Sequence, residues 1–439
     1  MIYIIALLVA LTFLTVGIVK FKIHPFFVLL ITSLAYGFIS GMNVEQIIDS
    51  INSGFGSIMG KIGLIIVFGV TIGKVLEKSG GALVLATKIL KIIGEKSIHL
   101  AMMVTGYILS IPIFADSALL IMTPLNKALS HKAGISFAGT TTALAIGLTA
   151  THVMVPPTPG PIAAAGILNA NLGDVIIWGL IVSAISLIPG YFYATRITSK
   201  IKLYYKLEKV VEITYQPSLL KSSLPILLPL LLIMFKAIID YPSLNIEASI
   251  FTQFISFFGT PVIALFVGVF FSLIIPKKLD EKILSSNGWL GESLKVAAPI
   301  ILITGAGGVF GAMLQNSGIG DIIASGFSGM EIGLFFPFLL AAGLKTTQGS
   351  STVALVTTAS IVAPILPALG LDDPFLKVMT VLAIGAGSSV VSQVNDSFFW
   401  VLTQLTGMNV RQGYQVQTVG TLIFGVTAMI IIFIITLII

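Results

Sequence analysis

Four long apolar segments of this chain, at about 98–126, 136–170, 332–367 and 375–408, are each interrupted near the middle by proline, glycine or polar residues. Hydrocarbon offers backbone N–H and C=O groups no partner, so a helix that breaks there must do so inside protein or along a water-filled cavity. The chain therefore has to wrap its own interruptions. Apolar windows that can do the wrapping, each long enough to cross, fall at about 1–19, 26–41, 57–76, 175–195, 223–239, 257–275, 296–316 and 414–439. With 56% hydrophobic and 10% charged residues and a mean hydropathy of +1.06, one soluble core cannot take up the apolar side chains. The fold class is an all-α polytopic membrane protein. The window from Met1 to Val19 has no Lys or Arg before it and no small-residue cleavage pattern, and it reads as a retained span.

Charge sets the expected topology. The longest polar connection, Arg196 to Lys221, holds six basic residues against Glu208 and Glu212, which makes it cytoplasmic. It divides the chain into a first membrane half (1–195), a basic linker (196–222) and a second half (223–439). The remaining charges sort if 98–126 is a hairpin entered from inside and 332–367 one entered from outside. Lys20, Lys22, Lys88, Lys91, Lys127, Lys132 and Arg411 are then internal, and Glu45, Asp49, Asp174, Asp321, Glu331, Asp372 and Asp373 external. Both termini come out external. The net charge of +6 is thus a topology signal, and no soluble basic surface exists to bind nucleic acid.

A weak repeat agrees with this. Pairing Gly69 with Gly307 also pairs Gly73 with Gly311, Leu76 with Leu314, Ser79 with Ser317, Gly80 with Gly318 and Ala86 with Ala324. Small-residue spacing in packed membrane helices can arise independently of a repeat. However, a hairpin and a broken span follow each copy in opposite orientation. The expected architecture is two inverted repeats, each with a re-entrant hairpin and a broken transmembrane helix.

The interruptions carry the chemistry. Asp116 and Ser117 stand at the first hairpin, where either could cap the returning half-helix. Thr158 precedes Pro159 in the first broken span, in the order N-cap then first-turn proline, with Gly160 next. Gln348, Gly349, Ser350 and Ser351 form the second hairpin tip, and Asn395, Asp396 and Ser397 the second break. Half-helix N-termini attract anions, and the hydroxyl and amide groups suit a ligand that is itself hydroxylated. A small polyhydroxy acid satisfies both demands.

Asp116 and Asp396 beside such an anion would repel it and each other if both were ionised, so proton coupling follows. His152 is a further proton-coupling candidate, and also a plausible hydrogen-bonded core residue. Pairing of the acids with Lys127, Lys345 or His152, or a Na+ site made from unwound carbonyls, are alternatives the residues leave open. Each Asp could also be a plain helix cap. The Cys count is 0 and the four His residues show no zinc-like spacing, so neither a metal site nor a cofactor is expected. An intramembrane aspartyl enzyme built on Asp116 and Asp396 is the rival from another class, although the usual signatures of such enzymes are absent. A channel would need a continuous polar stripe.

Four motifs, IFADSALLIMTPLNKAL (113–129), HVMVPPTPGPIAAAG (152–166), LKTTQGSSTVAL (344–355) and GAGSSVVSQVNDSFFW (385–400), resemble the gluconate permease family, the gluconate:proton symporters within the ion-transporter superfamily. The similarity is most specific in VPPTPGP and VNDSFFW and covers nearly the whole chain. It implies a secondary active transporter in the inner (plasma) membrane, taking up gluconate or a related small hydroxylated carboxylic acid with protons. It also implies a site at the hairpin tips and breaks, and a homodimer of scaffold and transport domains. Some family members carry D-serine or other small organic acids.

Overall fold

The computed structural model describes residues 2–94, 97–203, 216–240, 249–318 and 333–439. The central part of the basic linker, and Ala324, Asp321 and Glu331, lie outside the described residues. Among the described residues the regular structure is helical: α1 (Ile2–Val19), α2 (Pro25–Ile39), α3 (Val44–Ile58), α4 (Leu64–Lys78), α5 (Gly81–Ile93), α6 (Ile98–Leu109), α7 (Ala115–Lys132), α8 (Phe137–Met154), α9 (Pro159–Leu168), α10 (Leu172–Arg196), α11 (Leu219–Ile239), α12 (Ile250–Phe258), α13 (Pro261–Ser272), α14 (Glu281–Leu284) and α15 (Trp289–Asn316). There follow α16 (Phe335–Gln348), α17 (Ser351–Val362), α18 (Pro374–Ser389), α19 (Ser397–Thr406), α20 (Val410–Gly413) and α21 (Val419–Ile438). A π-helical turn, Met59–Gly63, joins α3 to α4, and another, Tyr414–Thr418, joins α20 to α21.

Local chemistry fixes the ends. Asn43 with Gln46, Ser249 with Thr252 and Asn409 with Gln412 form capping boxes, and Pro25, Pro159, Pro261 and Pro374 occupy first-turn positions. Six helical stretches are long and apolar enough to cross a membrane, or seven with the bent pair α12–α13 taken as one. That pair overlaps the apolar window 257–275 and bends by 73° where Thr260 and Pro261 start a new helix.

The first broken span is internal. Residues 137–168 are buried almost throughout, including the backbone between α8 and α9, Val155 to Thr158. The helices α10, α11 and α21 expose apolar side chains such as Phe192, Phe235 and Phe433. The helix returning from each break crosses to the other half: α7 packs on α19, and α17 packs on α9.

The repeat offset read from Gly69 and Gly307 extends into the backbone. Gly80 and Gly318 share positive φ (78° and 76°), as do the α9 and α19 C-caps, Asn169 and Gly407 (53° and 72°). Two residues beyond those caps, Asn171 and Asn409 each cap the next helix. Thr158 and Asp396, both in N-cap position, are separated by the same offset again.

Candidate functional site

A helix that stops inside the protein leaves carbonyls without helical partners, and these need other donors. The second half meets this need with side chains. Asn395 Nδ2 donates to Thr346 O and Thr347 O, both at 2.9 Å, and Gln393 Nε2 donates to Thr346 O at 2.9 Å. Lys345 Nζ donates to Gly349 O at 2.5 Å. Gly349 has φ +84°, and a Cβ on it would lie 2.1 Å from Asn395 O, so only glycine lets the tip meet the break this closely. The tip between α16 and α17 and the break between α18 and α19 are thereby one hydrogen-bonded unit.

Charge completes that unit. Lys345 Nζ also lies 2.6 Å from Asp396 Oδ2, which accepts a further hydrogen bond from Ser392 Oγ at 2.5 Å. Asp396 Oδ1 accepts from Phe398 N at 3.0 Å, so Asp396 caps α19 as well as pairing with the lysine. Ser350 caps α17 through Val353 N at 3.3 Å.

The first half is built differently. Asp116 lies in the first turn of α7, whose N-cap position is Phe114 and makes no side-chain cap. Neither Asp116 nor Ser117 is therefore the cap the sequence suggested. Asp116 Oδ1 is buried and has no hydrogen-bond partner among the described residues, and His152 Nδ1 is in the same condition. The Phe114 ring stands 6.0 Å from the imidazole, centroid to centroid. Thr158 holds the N-cap position of α9, but its hydroxyl turns back to Val155 O at 2.6 Å and caps nothing.

A cavity of about 260 Å³ gathers Asp116, His152, Ser350, Ser351, Asp396 and Ser397 from the sequence-derived set. Lys345, Ser392, Ser389, Thr149, Thr352, Gln417 and Thr421 complete its polar lining. Thr158 borders a separate small void. Gly160 is a packing position, since a Cβ there would come within 2.6 Å of Leu355 Cδ1 on α17. Asn395 and Gly349 shape the tip. Ser117 and Gln348 also lie off the cavity, although both amide atoms of Gln348 are buried and unpartnered. Among the residues that sequence reasoning passed over are Thr149, in the interrupted segment 136–170 but away from its break, and Gln417 and Thr421 in the plain window 414–439, where the signal was a polar side chain inside an apolar run.

The arrangement can hold a small anion with several hydroxyl groups. One cation is present and is already matched by a carboxylate, and a second carboxylate lacks a partner. Among the described residues no cluster of His, Cys, Asp and Glu could hold a metal ion.

Comparisons with known proteins show the family and the fold. The chain is 32% identical to a gluconate permease of Pseudomonas aeruginosa over 98% of this chain and 97% of that one. It is 36% identical to an uncharacterized permease of Haemophilus influenzae (96% and 89% covered) and 30% identical to the D-serine transporter DsdX of Escherichia coli (96% of each). In fold it is similar to the YdaH transporter of Alcanivorax borkumensis, with a TM-score of 0.64 at 13% identity over 89% of each chain. It also resembles MtrF of Neisseria gonorrhoeae, with a TM-score of 0.60 at 15% identity over 89% and 84%. The aspartyl-enzyme alternative gives way to a transporter on these relationships. Residues 2–438 match the GntP family permeases, and the chain belongs to that family as a multi-pass membrane transporter.

Proposed function

We propose that this permease takes up gluconate or a related small hydroxylated carboxylic acid together with protons, across the inner membrane. The observation that carries the reading is one hydroxyl-rich cavity in which Asp396 is ion-paired with Lys345 while Asp116 Oδ1 has no hydrogen-bond partner among the described residues. An ionised carboxylate without a partner beside an anionic substrate is costly in low dielectric, so Asp116 takes up a proton when substrate binds. Asp396, held by lysine and serine, is the fixed charge.

The architecture proposed for this transport is a pair of inverted repeats, each with a re-entrant hairpin (98–126 and 332–367) and a broken span. The shared offset of the caps and the crossed packing of α7 on α19 and α17 on α9 support it. Residues 1–195 and 223–439 are the two halves, with 196–222 as a cytoplasmic linker, and the working unit is a homodimer. D-serine is the second reading, favoured by the relative that carries it.

Uptake of labelled gluconate into proteoliposomes tests the proposal, under an imposed inward proton gradient, an inward Na+ gradient or neither. Idonate, glucuronate, glycerate and D-serine serve as competitors. Accumulation driven by protons and competed by the hydroxy acids is expected. Accumulation driven by Na+ alone, or competed by D-serine alone, overturns the coupling or the substrate respectively.

A further inference from the structure

The cavity has a polar wall that none of the four interruptions provides. Gln417 lies on the π-helical turn Tyr414–Thr418, ahead of a helix that is otherwise apolar. It is 2% exposed and lines the cavity, yet among the described residues its amide makes no hydrogen bond. Thr149 on α8 repeats the pattern: 8% exposed, on the same cavity, with its hydroxyl unbonded among the described residues. Buried donors and acceptors are ordinarily satisfied, and the cost of leaving them open is offset when a ligand completes them.

The turn also has a reason for its shape. Thr418 Oγ1 donates to Ser392 O, and Ser392 N donates to Thr421 Oγ1 at 3.3 Å. The C-terminal helix is therefore fastened to the break that carries Asp396. Single π-turns of this kind widen a helix locally, and they recur where a side chain is aimed at a ligand. Here the widened turn spends Thr418 on the fastening and leaves Gln417 for the cavity.

We infer that Gln417, together with Thr149 on the helix packed against its turn, forms a subsite for the hydroxyl-bearing chain of the substrate, and that it sets preference for long polyhydroxy acids over three-carbon acids. A primary amide offers both a donor and an acceptor, which matches neighbouring hydroxyls that do the same. The inference rests on the proposed carriage of a hydroxy acid.

The test is binding to the purified full chain in detergent, with gluconate and glycerate titrated separately. Gln417→Leu keeps the volume and removes the amide. Its affinity for gluconate should fall about 5- to 30-fold, the value of one or two hydrogen bonds, while glycerate affinity stays within about twofold. Equal loss for both acids, or no loss for either, overturns the subsite. If wild-type protein binds neither acid, the hydroxy-acid reading falls with it, whereas normal wild-type binding with an unselective variant removes the subsite alone. Should Gln417→Leu fail to fold, Gln417→Met makes the same comparison with an unbranched chain. Failure of both to fold makes the amide structural and also overturns the proposal.

Discussion

Lys345 Nζ and Asp396 Oδ2 lie 2.6 Å apart with side chains only 2% and 9% exposed, and they join the α16–α17 turn to the α18–α19 break. The same ammonium holds Gly349 O, and the same carboxylate holds Ser392 Oγ and Phe398 N. One ion pair therefore joins the two interrupted elements, and three further hydrogen bonds brace its partners within their own element. Removing one partner of a buried pair leaves the other charge stranded, at a cost of about 3–5 kcal/mol, and replacing both by neutral groups costs less. Lys345→Met should lower the melting temperature sharply, and adding Asp396→Asn should recover part of the loss. Thermal melts of the two single variants and the double variant measure the coupling. Additive losses would show that the pair does not hold the elements together.

Gly349 makes the same junction sterically. Any other residue there meets the left-handed backbone cost of about 1–2 kcal/mol. Its Cβ would also lie 2.1 Å from Asn395 O, where nothing flexible can yield. Gly349→Ala should lower both thermal stability and substrate affinity, because the tip has to withdraw from the break. Gly370 also has positive φ, but no atom stands within 4 Å of its Cβ position, so Gly370→Ala should show the backbone cost without losing affinity. Melts and binding isotherms of the two variants, taken together, separate clash from conformation.

The hydroxyls at the half-helix starts are not equivalent. Ser350 caps α17 and lines the cavity, whereas Thr158 bonds Val155 O and faces away. Ser350→Ala should weaken substrate binding by about 0.5–2 kcal/mol, through loss of a cap and a ligand contact. Thr158→Ala should bind as wild type does. Isothermal titration of both variants decides the matter, and equal affinities would remove Ser350 from the site.

That contrast shows where the sequence was legible. Proline, glycine and, at 390–396, clustered polar residues mark backbone that leaves the helix, so the breaks at 110–114, 155–158, 349–350 and 390–396 stand within the four interrupted windows. Helix α3 was missed because it is amphipathic, with Glu45, Gln46 and Asp49 diluting any apolar window, and α5 because Lys88 and Lys91 do the same. The direction of a side chain at a break is a tertiary matter. Thr158 and Asp396 occupy equivalent N-cap positions, yet one hydroxyl turns inward on its own loop while one carboxylate reaches a lysine 51 residues away. Both acids were visible in the sequence. Which of them is paired depended on Lys345, whose position in the last turn of α16 reads equally well as a helix-end cation.

On the proposed reading the coupling acid is Asp116. Among the described residues its Oδ1 has no hydrogen-bond partner, and it shares its cavity with the Lys345–Asp396 pair. Asparagine at 116 imitates the protonated acid in shape and hydrogen bonding but cannot release a proton. Asp116→Asn should therefore bind substrate and exchange it across the bilayer, yet fail to accumulate it against a gradient when only a pH difference is imposed. Asp396→Asn should behave otherwise. It keeps a residue that caps α19 nearly as well, but leaves Lys345 without its counter-charge, so the loss should fall on stability and binding together. Counterflow exchange and gradient-driven uptake, measured in parallel on proteoliposomes of each variant, distinguish the two. If Asp116→Asn accumulates substrate to the wild-type level, the proton is carried elsewhere, and His152, whose Nδ1 is also buried without a partner, becomes the residue to replace.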